Sequence, residues 1–330
     1  MSIGYGALQL AFTDSNTFTE LIKALVIEAQ SANKKIIIDT ARVYGDCEKL
    51  LGEVLKKNPG YRQWLFIIVK VGIMFDEKAP YCLTKDELNT HVTESLEKLG
   101  LSNVDCIMLH RLPRNHKNFD EAITTLKSFK DEKCQYIGLS EVSAETILST
   151  NVDFVEIAYS PFSRVAEING VLEAARKTNC IVVTYTSVAR GFLNGRVDEF
   201  VGDGVLKKEF QELTDAEFQK IIFEKLQINS FEQSIGYYEQ NVLKKNIEVI
   251  ANFIAFCQQK QSDPFQVCLA YNVAKGYIPI PGTTKIANLK NNISAINVKL
   301  DDNDLMMIDD ITCEFKGDPN PNLLSYLSEV

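Results

Sequence analysis

The chain has 330 residues, of which 45% are hydrophobic and 24% are charged, a composition typical of a globular protein with a large core. Its formal net charge of −9 argues against nucleic acid as a partner, because affinity for a phosphate backbone comes from clustered Lys and Arg. No apolar run reaches the roughly 18 residues that a membrane span needs, so a membrane partner is not expected either.

The cysteines give no sign of a metal site or of a disulfide framework. There are eight of them, without a CxxC pair and without clustered histidines that would complete a zinc site. The opening sequence MSIGYGALQLAF lacks the basic segment that begins a secretory signal. We therefore expect reduced, mostly buried thiols and a soluble protein of the cytoplasm, or of the cytoplasm and the nucleus.

Short apolar runs alternate with longer amphipathic segments along the chain, which is the pattern of repeated β-α units. The predicted strands cover residues 3–8, 35–39, 65–70, 104–109, 136–139, 154–157, 181–184 and 277–280, and the predicted helices include 47–57, 85–99, 119–133, 170–177 and 242–260. Eight strands without a G-x-G-x-x-G turn after the first favour an α/β fold of the (β/α)8 TIM barrel type over an open sheet. No Pro/Gly/Ser linker divides residues 1–330, so a single domain is predicted.

One connection, residues 196–240, is too long for an ordinary barrel loop and lies between the seventh strand and the next long helix. Its helical portion, residues 215–225, and the adjacent Tyr237 and Tyr238 predict an ordered insert. Such an insert serves either as a lid over a substrate or as a passive elaboration of the surface.

Four polar side chains stand at strand ends, where the reactive residues of such barrels lie. Asp39 ends the second strand, Tyr44 follows in the same loop, Lys70 ends the third strand and His110 follows the fourth. Each alone fits an ordinary structural role, such as a capping carboxylate or a lysine that reaches solvent. Together they favour a catalytic site, because a lysine that ends a buried strand needs an anion, and Asp39 on the adjacent strand can provide it.

This grouping predicts a carbonyl reductase. An ammonium beside Tyr44 would stabilise the phenolate and lower the tyrosine pKa from about 10 toward working pH, so that Tyr44 can donate a proton. His110 would either orient the carbonyl or relay a proton. Because no side chain supplies a hydride, a cofactor is implied. In IPIPGTTKIANLKNNI, Thr283, Thr284 and Lys285 open a helix, which suits a phosphate and is also a plain helix start.

The chain resembles the aldo-keto reductase superfamily along nearly its whole length. Asp39, Tyr44, Lys70 and His110 match the family tetrad in the settings IDTARVYG, IIVK and DCIMLH. The resemblance implies that Tyr44 is the general acid, that Lys70 and Asp39 tune it, and that His110 orients the carbonyl.

The resemblance also implies a dinucleotide site, and Lys285 favours NADPH over NADH. The implied contacts are Ser140 and Glu156 at the nicotinamide carboxamide, Tyr185 on the nicotinamide ring, Thr186, Ser187, Arg190 and Gly191 near the pyrophosphate, and Thr283, Lys285 and Asn292, beside Thr284, at the adenosine 2′-phosphate end. Two positions depart from the superfamily pattern, with Glu141 where Asn is usual and Glu156 where Gln is usual.

The segments GLSEVSAETI, EIAYSPFSRVAEINGVLEAAR and ARGFLNGR resemble the fungal pyridoxal reductase branch, in which Glu is expected after that Ser. The branch implies reduction of pyridoxal to pyridoxine, reversible as a pyridoxine 4-dehydrogenase of vitamin B6 metabolism. Pyridoxal carries a phenolic oxygen beside its aldehyde, so Arg42, Arg111 and Arg164 are candidate substrate contacts. Two alternatives stay open: a general reductase of aromatic or aliphatic aldehydes, and a non-catalytic nucleotide-binding subunit.

Overall fold

The computed structural model describes residues 2–74, 80–194 and 197–318. Eight parallel strands form one sheet in which each strand pairs with the next along the chain. They are β1 (Tyr5–Gly6), β2 (Ile36–Ala41), β3 (Leu65–Val71), β4 (Val104–Leu109), β5 (Cys134–Ser140), β6 (Phe154–Ala158), β7 (Ile181–Tyr185) and β8 (Ile278–Pro279). The backbone N–H of Gly4 donates a 2.8 Å hydrogen bond to the carbonyl of Pro279 and so brings the first and last strands together. The predicted barrel is confirmed.

Glycines permit the close approach of β1 to β8. A Cβ atom on Gly6 would lie 2.8 Å from the carbonyl oxygen of Ile280, and one on Gly4 would lie 2.9 Å from the Cγ2 atom of Ile280. The first strand is shorter than the predicted 3–8 because a 3-10 helix begins at Leu8. The seam is therefore narrow, and only residues without side chains fit it.

Helices follow most strands and pack around the barrel. They are α1 (Ser15–Ser31), α2 (Cys47–Lys57), α3 (Lys85–Leu99), α4 (Phe119–Ser128), α5 (Ala144–Thr150), α6 (Val165–Ile168), α7 (Val171–Thr178), α8 (Lys208–Gln211), α9 (Asp215–Leu226), α10 (Ser230–Gln233), α11 (Gln240–Gln259), α12 (Pro264–Ala274), α13 (Ile286–Ser294) and α14 (Asp302–Thr312). Helices α2 and α3 have the predicted bounds. The prediction of 119–133 was too long, because the chain turns through Asp131, at a φ of 72°, into β5.

The boundaries of α3 show how sequence sets an element. Thr84 accepts from the backbone N–H of Glu87, and the carboxylate of Glu87 accepts in return from the backbone N–H of Thr84. Gly100 ends the helix in the left-handed region with a φ of 64°. The helix that follows β3 therefore starts and stops at chemically defined residues.

The predicted insert between β7 and α11 is ordered. It contains a short antiparallel hairpin of Val201–Gly202 and Val205–Leu206, followed by α8, α9 and α10. The rings of Phe200, Phe210 and Phe218 pack together at centroid distances of 5.3 to 6.2 Å. Tyr237 and Tyr238 are buried where the insert ends.

The interior of the barrel has an apolar lower part and a polar upper part. Seven buried residues form the apolar part, namely Ile37, Ile68, Cys106, Met108, Phe154, Val183 and Ile280. Side chains alternate in direction along a strand, so the residues two positions further on share the same interior side. On or directly after β2, β3, β4, β6 and β7, the next interior position after the apolar part holds an ionisable side chain, namely Asp39, Lys70, His110, Glu156 and Tyr185. The alternation therefore places the ionisable side chains in one layer, above the apolar part and at the carboxyl ends of the strands.

Two further observations bear on the class of protein. Within residues 2–74, 80–194 and 197–318, no helix has the length and apolar character required to cross a membrane. Seven of the eight cysteines are buried and Cys313 is exposed, which confirms the prediction that most of the thiols are buried.

Candidate active site

Lys70 lies at the centre of the polar layer. Its ammonium donates to Asp39 Oδ2 at 2.5 Å and to Glu156 Oε1 at 2.8 Å, and the side chain is 1% exposed. Burial by itself would lower the lysine pKa, but the charges of Asp39 and Glu156 raise it well above its usual value. The predicted pair with Asp39 is confirmed, and Glu156 is a second anion on the same cation.

The two carboxylates compete for one ammonium. The pKa of Asp39 is raised well above its usual value, first by burial and then by the charge of Glu156, and Lys70 only partly offsets these effects. Asp39 therefore keeps its proton to a higher pH than an exposed aspartic acid does. With a second carboxylate, the cluster can bind one more proton than a Lys–Asp pair can.

Tyr44 lies against this cluster. The Lys70 ammonium is 5.2 Å from the centre of the Tyr44 ring, and the His110 ring meets it edge-on with a centroid distance of 5.7 Å. Burial raises the pKa of Tyr44 to about 12, which outweighs the lowering by Lys70, while the charges of Asp39 and Glu156 raise it further. The prediction of a lowered pKa was therefore wrong in its net direction. Tyr44 is a protonated phenol throughout the neutral range.

His110 supplies a neutral imidazole beside the phenol. Its pKa is well below the usual value because of burial first, and then because of the positive charges of Lys70 and Arg111. Its Nδ1 atom is buried and has no hydrogen-bond partner. An uncharged imidazole with an open nitrogen can form a hydrogen bond with a ligand without adding a charge to the site.

Arg111 is a second buried cation in the same layer. It donates to the carbonyl of His110 at 2.5 Å and to Ser140 Oγ at 2.9 Å, and it is 6% exposed. Its Nε atom is buried without a partner. The guanidinium interacts electrostatically with Tyr185, the last residue of β7, and with Glu141, which follows β5. Ser140 and Arg111 are thus brought together at the edge of the tetrad.

Glu141 holds the end of β6 and the Tyr185 side chain. Its carboxylate accepts from the backbone N–H of Ala158 at 2.6 Å and from the Tyr185 hydroxyl. Its backbone lies in the left-handed region at a φ of 53°, and burial raises its pKa. The guanidinium of Arg190 lies 5.6 Å from the centre of the Tyr185 ring. An aromatic face and a cation are therefore adjacent at the end of β7.

The loop after β7 contains the predicted pyrophosphate contacts. Thr186 and Arg190 have positive φ values of 57° and 52°, and Thr186 Oγ1 is buried without a partner. The Ser187 hydroxyl donates to the Thr184 carbonyl at 2.9 Å, and Gly191 lies in the 3-10 helix Ala189–Asn194. A strained backbone with an unpaired hydroxyl is common at ligand sites.

The start of α13 contains the other predicted phosphate contacts. The backbone N–H of Lys285 donates to Thr283 Oγ1 at 3.1 Å, and no side chain caps the first turn of the helix. Thr284 and Lys285 are exposed, and Asn292 lies buried on the same helix. An uncapped helix start with an adjacent cation fits an anionic group.

The structure does not bring Arg42 and Arg164 to the tetrad through their side chains. Arg42 Nε is 2.8 Å from Glu94 Oε2, and Arg164 pairs with Asp309 on α14. In the described part of the chain, neither guanidinium has a hydrogen bond or ion pair with a tetrad residue. Of the three arginines, Arg111 is the one that lies in the site.

The contact between Glu156 and Lys70 was not predicted from the sequence. The family resemblance implied a contact of Glu156 with the nicotinamide carboxamide instead. The available signal was the alternation in β6, in which Phe154 faces the barrel interior and Glu156 must then do the same. A second carboxylate in the layer that contains Lys70 was therefore readable from the strand pattern.

Fold and site together define a class of protein, a (β/α)8 barrel with a buried Tyr–Lys–His–Asp cluster at the carboxyl ends of its strands. The model of the Aldo/keto reductase family matches residues 2–312. The chain therefore belongs to the aldo/keto reductase family and is an oxidoreductase.

Relatives from several organisms share this family. The chain is 27% identical to aldo-keto reductase str7 of Strobilurus tenacellus, over 98% of this chain and 93% of that protein. It is also 27% identical to aldo-keto reductase yakc of Schizosaccharomyces pombe, whose name carries NADP(+), over 91% of this chain and 85% of that protein. An aldo-keto reductase from Bacillus halodurans in its holo form has the same fold, with a TM-score of 0.67 and 19% identity over 94% of this chain and 91% of that chain.

Proposed function

We propose that the protein is an NADPH-dependent carbonyl reductase that reduces pyridoxal to pyridoxine, with Tyr44 as the proton donor. One observation carries the proposal: a buried, protonated phenol lies close to both the Lys70 ammonium and a neutral His110 imidazole. Carbonyl reduction requires a proton donor of this kind at the carbonyl oxygen.

The side chains divide the work at the carbonyl. His110, held neutral, donates a hydrogen bond that orients the carbonyl oxygen toward the Tyr44 hydroxyl. Tyr44 then transfers its proton as negative charge develops on that oxygen. Lys70 stabilises the phenolate that remains, since its charge is the strongest influence that favours the ionised form of Tyr44. Asp39 and Glu156 hold the ammonium in place.

The residues of the two strand-end loops fit a dinucleotide. A reduced nicotinamide, when bound, supplies the hydride that no side chain can supply. Open donors and acceptors at Thr186 Oγ1 and Glu156 Oε2 support a polar ligand at the ends of β6 and β7. The uncapped start of α13 and Lys285 support a phosphate further out, and a named NADP(+) relative supports NADPH in particular.

Arg111 supports pyridoxal as the substrate. Its buried guanidinium has an unpartnered Nε atom, and its charge acts on the Tyr44 hydroxyl as well as on Tyr185. A phenolate oxygen next to an aldehyde would satisfy such a donor, whereas benzaldehyde would leave it unpaired. We infer that Arg111 makes the protein prefer pyridoxal to benzaldehyde.

A substrate panel tests the proposal. The protein is assayed with NADPH and with NADH against pyridoxal, benzaldehyde, substituted benzaldehydes and aliphatic aldehydes, by following the nicotinamide absorbance. We expect the highest kcat/KM with NADPH and pyridoxal. An equal kcat/KM for benzaldehyde and pyridoxal would indicate a general aldehyde reductase, and no turnover above background with any carbonyl would favour a nucleotide-binding role.

A further inference from the structure

We propose that Glu156 is a positioning residue of the reaction, one that shares Lys70 with Asp39 and thereby sets the pH range over which Tyr44 can act as an acid or as a base. The inference rests on the proposed reductase function. It concerns a contact on the ammonium, which is separate from any contact that Glu156 makes with a cofactor.

The geometry supports this role. Glu156 comes from β6, on the opposite side of the barrel interior from β2, and its Oε1 atom lies 2.8 Å from Lys70 Nζ. Asp39 holds the same ammonium at 2.5 Å. Both carboxylates are at least nine-tenths buried, with 3% and 2% exposure, so solvent screens their charges little. Two anions therefore act on one cation, and the cation is the group that stabilises the Tyr44 phenolate.

The groups that face Tyr44 come from four strand ends. Lys70 and Arg111 are cations, Asp39 and Glu156 are carboxylic acids, and His110 is neutral. Lys70 favours the phenolate, whereas the charges of Asp39 and Glu156 oppose it. Removal of one of the two opposing charges would leave Lys70 to stabilise the phenolate more effectively.

The reaction fixes the sign of the effect. Reduction adds one hydride and one proton to the carbonyl, and Tyr44 gives the proton and afterwards recovers one from water. In the reverse direction the alcohol loses the same hydride and proton, and the proton passes to the Tyr44 phenolate. Reduction therefore needs the protonated phenol and is lost as the pH rises through its pKa. Oxidation needs the phenolate and is gained as the pH rises through the same pKa.

The pH profile of alcohol oxidation tests the proposal with Glu156→Gln, which keeps the volume and a hydrogen-bond acceptor for Lys70. In the parent protein we expect kcat/KM for pyridoxine and NADP+ to rise with pH to the alkaline limit of the assay. In Glu156→Gln we expect the rise to level off roughly one to two pH units earlier, the size of effect that one buried charge near the phenol would have. Glu156→Gln profiles that follow the parent over the whole range would overturn the proposal.

Two matched variants separate charge from structure. Glu156→Asp retains the carboxylate and should keep a profile closer to that of the parent. Glu141→Gln removes a different buried carboxylate, which accepts from the Ala158 N–H, has no hydrogen bond to Lys70 and is not among the largest causes of the Tyr44 pKa shift. We expect its profile to level off where the parent does. A similar shift in Glu141→Gln would assign the effect to general loss of charge and would count against Glu156.

A titration without substrate distinguishes failure of this inference from failure of the proposed function. Phenolate absorbance is measured against pH in the parent and in Glu156→Gln, each with its Tyr44→Phe counterpart subtracted to isolate Tyr44. We expect the Tyr44 phenolate absorbance to appear at a lower pH in Glu156→Gln than in the parent, even if no carbonyl is turned over. If it appears at the same pH or at a higher pH, the inference is overturned, whatever the substrate panel shows.

Discussion

Two buried cations at the ends of adjacent strands have opposite surroundings. Lys70, on β3, is neutralised by two carboxylates at 2.5 and 2.8 Å. Arg111, which follows β4, bonds a neutral hydroxyl and a carbonyl and keeps an unpartnered Nε atom. Lys70 thus has its anionic partners within the protein, whereas Arg111 keeps an unpartnered donor. In the proposed function, this difference assigns Lys70 to the tuning of Tyr44 and Arg111 to recognition of the substrate.

The largest expected effect follows from the removal of Lys70. Lys70→Met leaves two buried carboxylates without their cation, and we expect a loss of about 3–5 kcal/mol in the free energy of unfolding, measured by urea denaturation. Arg111→Met leaves neutral partners and should cost about 1–3 kcal/mol. Equal losses in the two variants would contradict the contrast between the two cations.

Two variants control this measurement. Lys177→Met removes an exposed pairing with Glu173 and should leave the urea midpoint unchanged. Lys70→Met combined with Glu156→Gln removes one of the two stranded charges and should recover part of the lost stability. If the double variant is no more stable than Lys70→Met, the unpaired carboxylates do not cause the loss in the free energy of unfolding.

The next effect concerns substrate preference. Arg111→Met removes the open donor, and we expect the kcat/KM ratio of pyridoxal to benzaldehyde to fall by about tenfold, the size of one lost charged hydrogen bond. Arg42→Met and Arg164→Met serve as matched controls, because their guanidinium groups are engaged by Glu94 and Asp309. An unchanged ratio in Arg111→Met would remove the structural argument for pyridoxal.

The smallest effect concerns the exposed end of the cofactor site. Lys285→Ala removes an exposed cation beside the uncapped start of α13, and since exposed ion pairs are worth only about 0.2–1 kcal/mol, NADPH should bind about two- to fivefold more weakly. NADH has no 2′-phosphate, and its affinity should change little. Titration of both dinucleotides by protein fluorescence gives the two Kd values, and equal losses would place the phosphate elsewhere.

The sequence predicted the architecture because hydrophobic periodicity is a local property. The eight strands and the bounds of α2 and α3 follow from apolar patterns and from caps such as Thr84 with Glu87. The ends of β1 were less predictable, since the close approach of Gly6 to Ile280 depends on closure of the barrel.

The site was predictable as a set of residues but not in its electrostatics. The pairing of Lys70 with Asp39 follows from two adjacent strand ends. The contact of Lys70 with Glu156 joins strands that are not neighbours in the sheet and needs the closed interior. The pKa of Tyr44 lies above its usual value because the effect of burial outweighs the effect of one nearby ammonium. The degree of burial cannot be read from the sequence.

If Tyr44 gives its proton to the carbonyl, Tyr44→Phe should nearly abolish catalysis without affecting cofactor binding. The variant and the parent are compared for NADPH-dependent reduction of pyridoxal and, separately, for NADPH affinity. We predict that turnover falls by about 10²–10⁴-fold while the Kd for NADPH stays nearly the same, because the hydroxyl acts in the transition state. Turnover close to that of the parent in Tyr44→Phe would contradict the account.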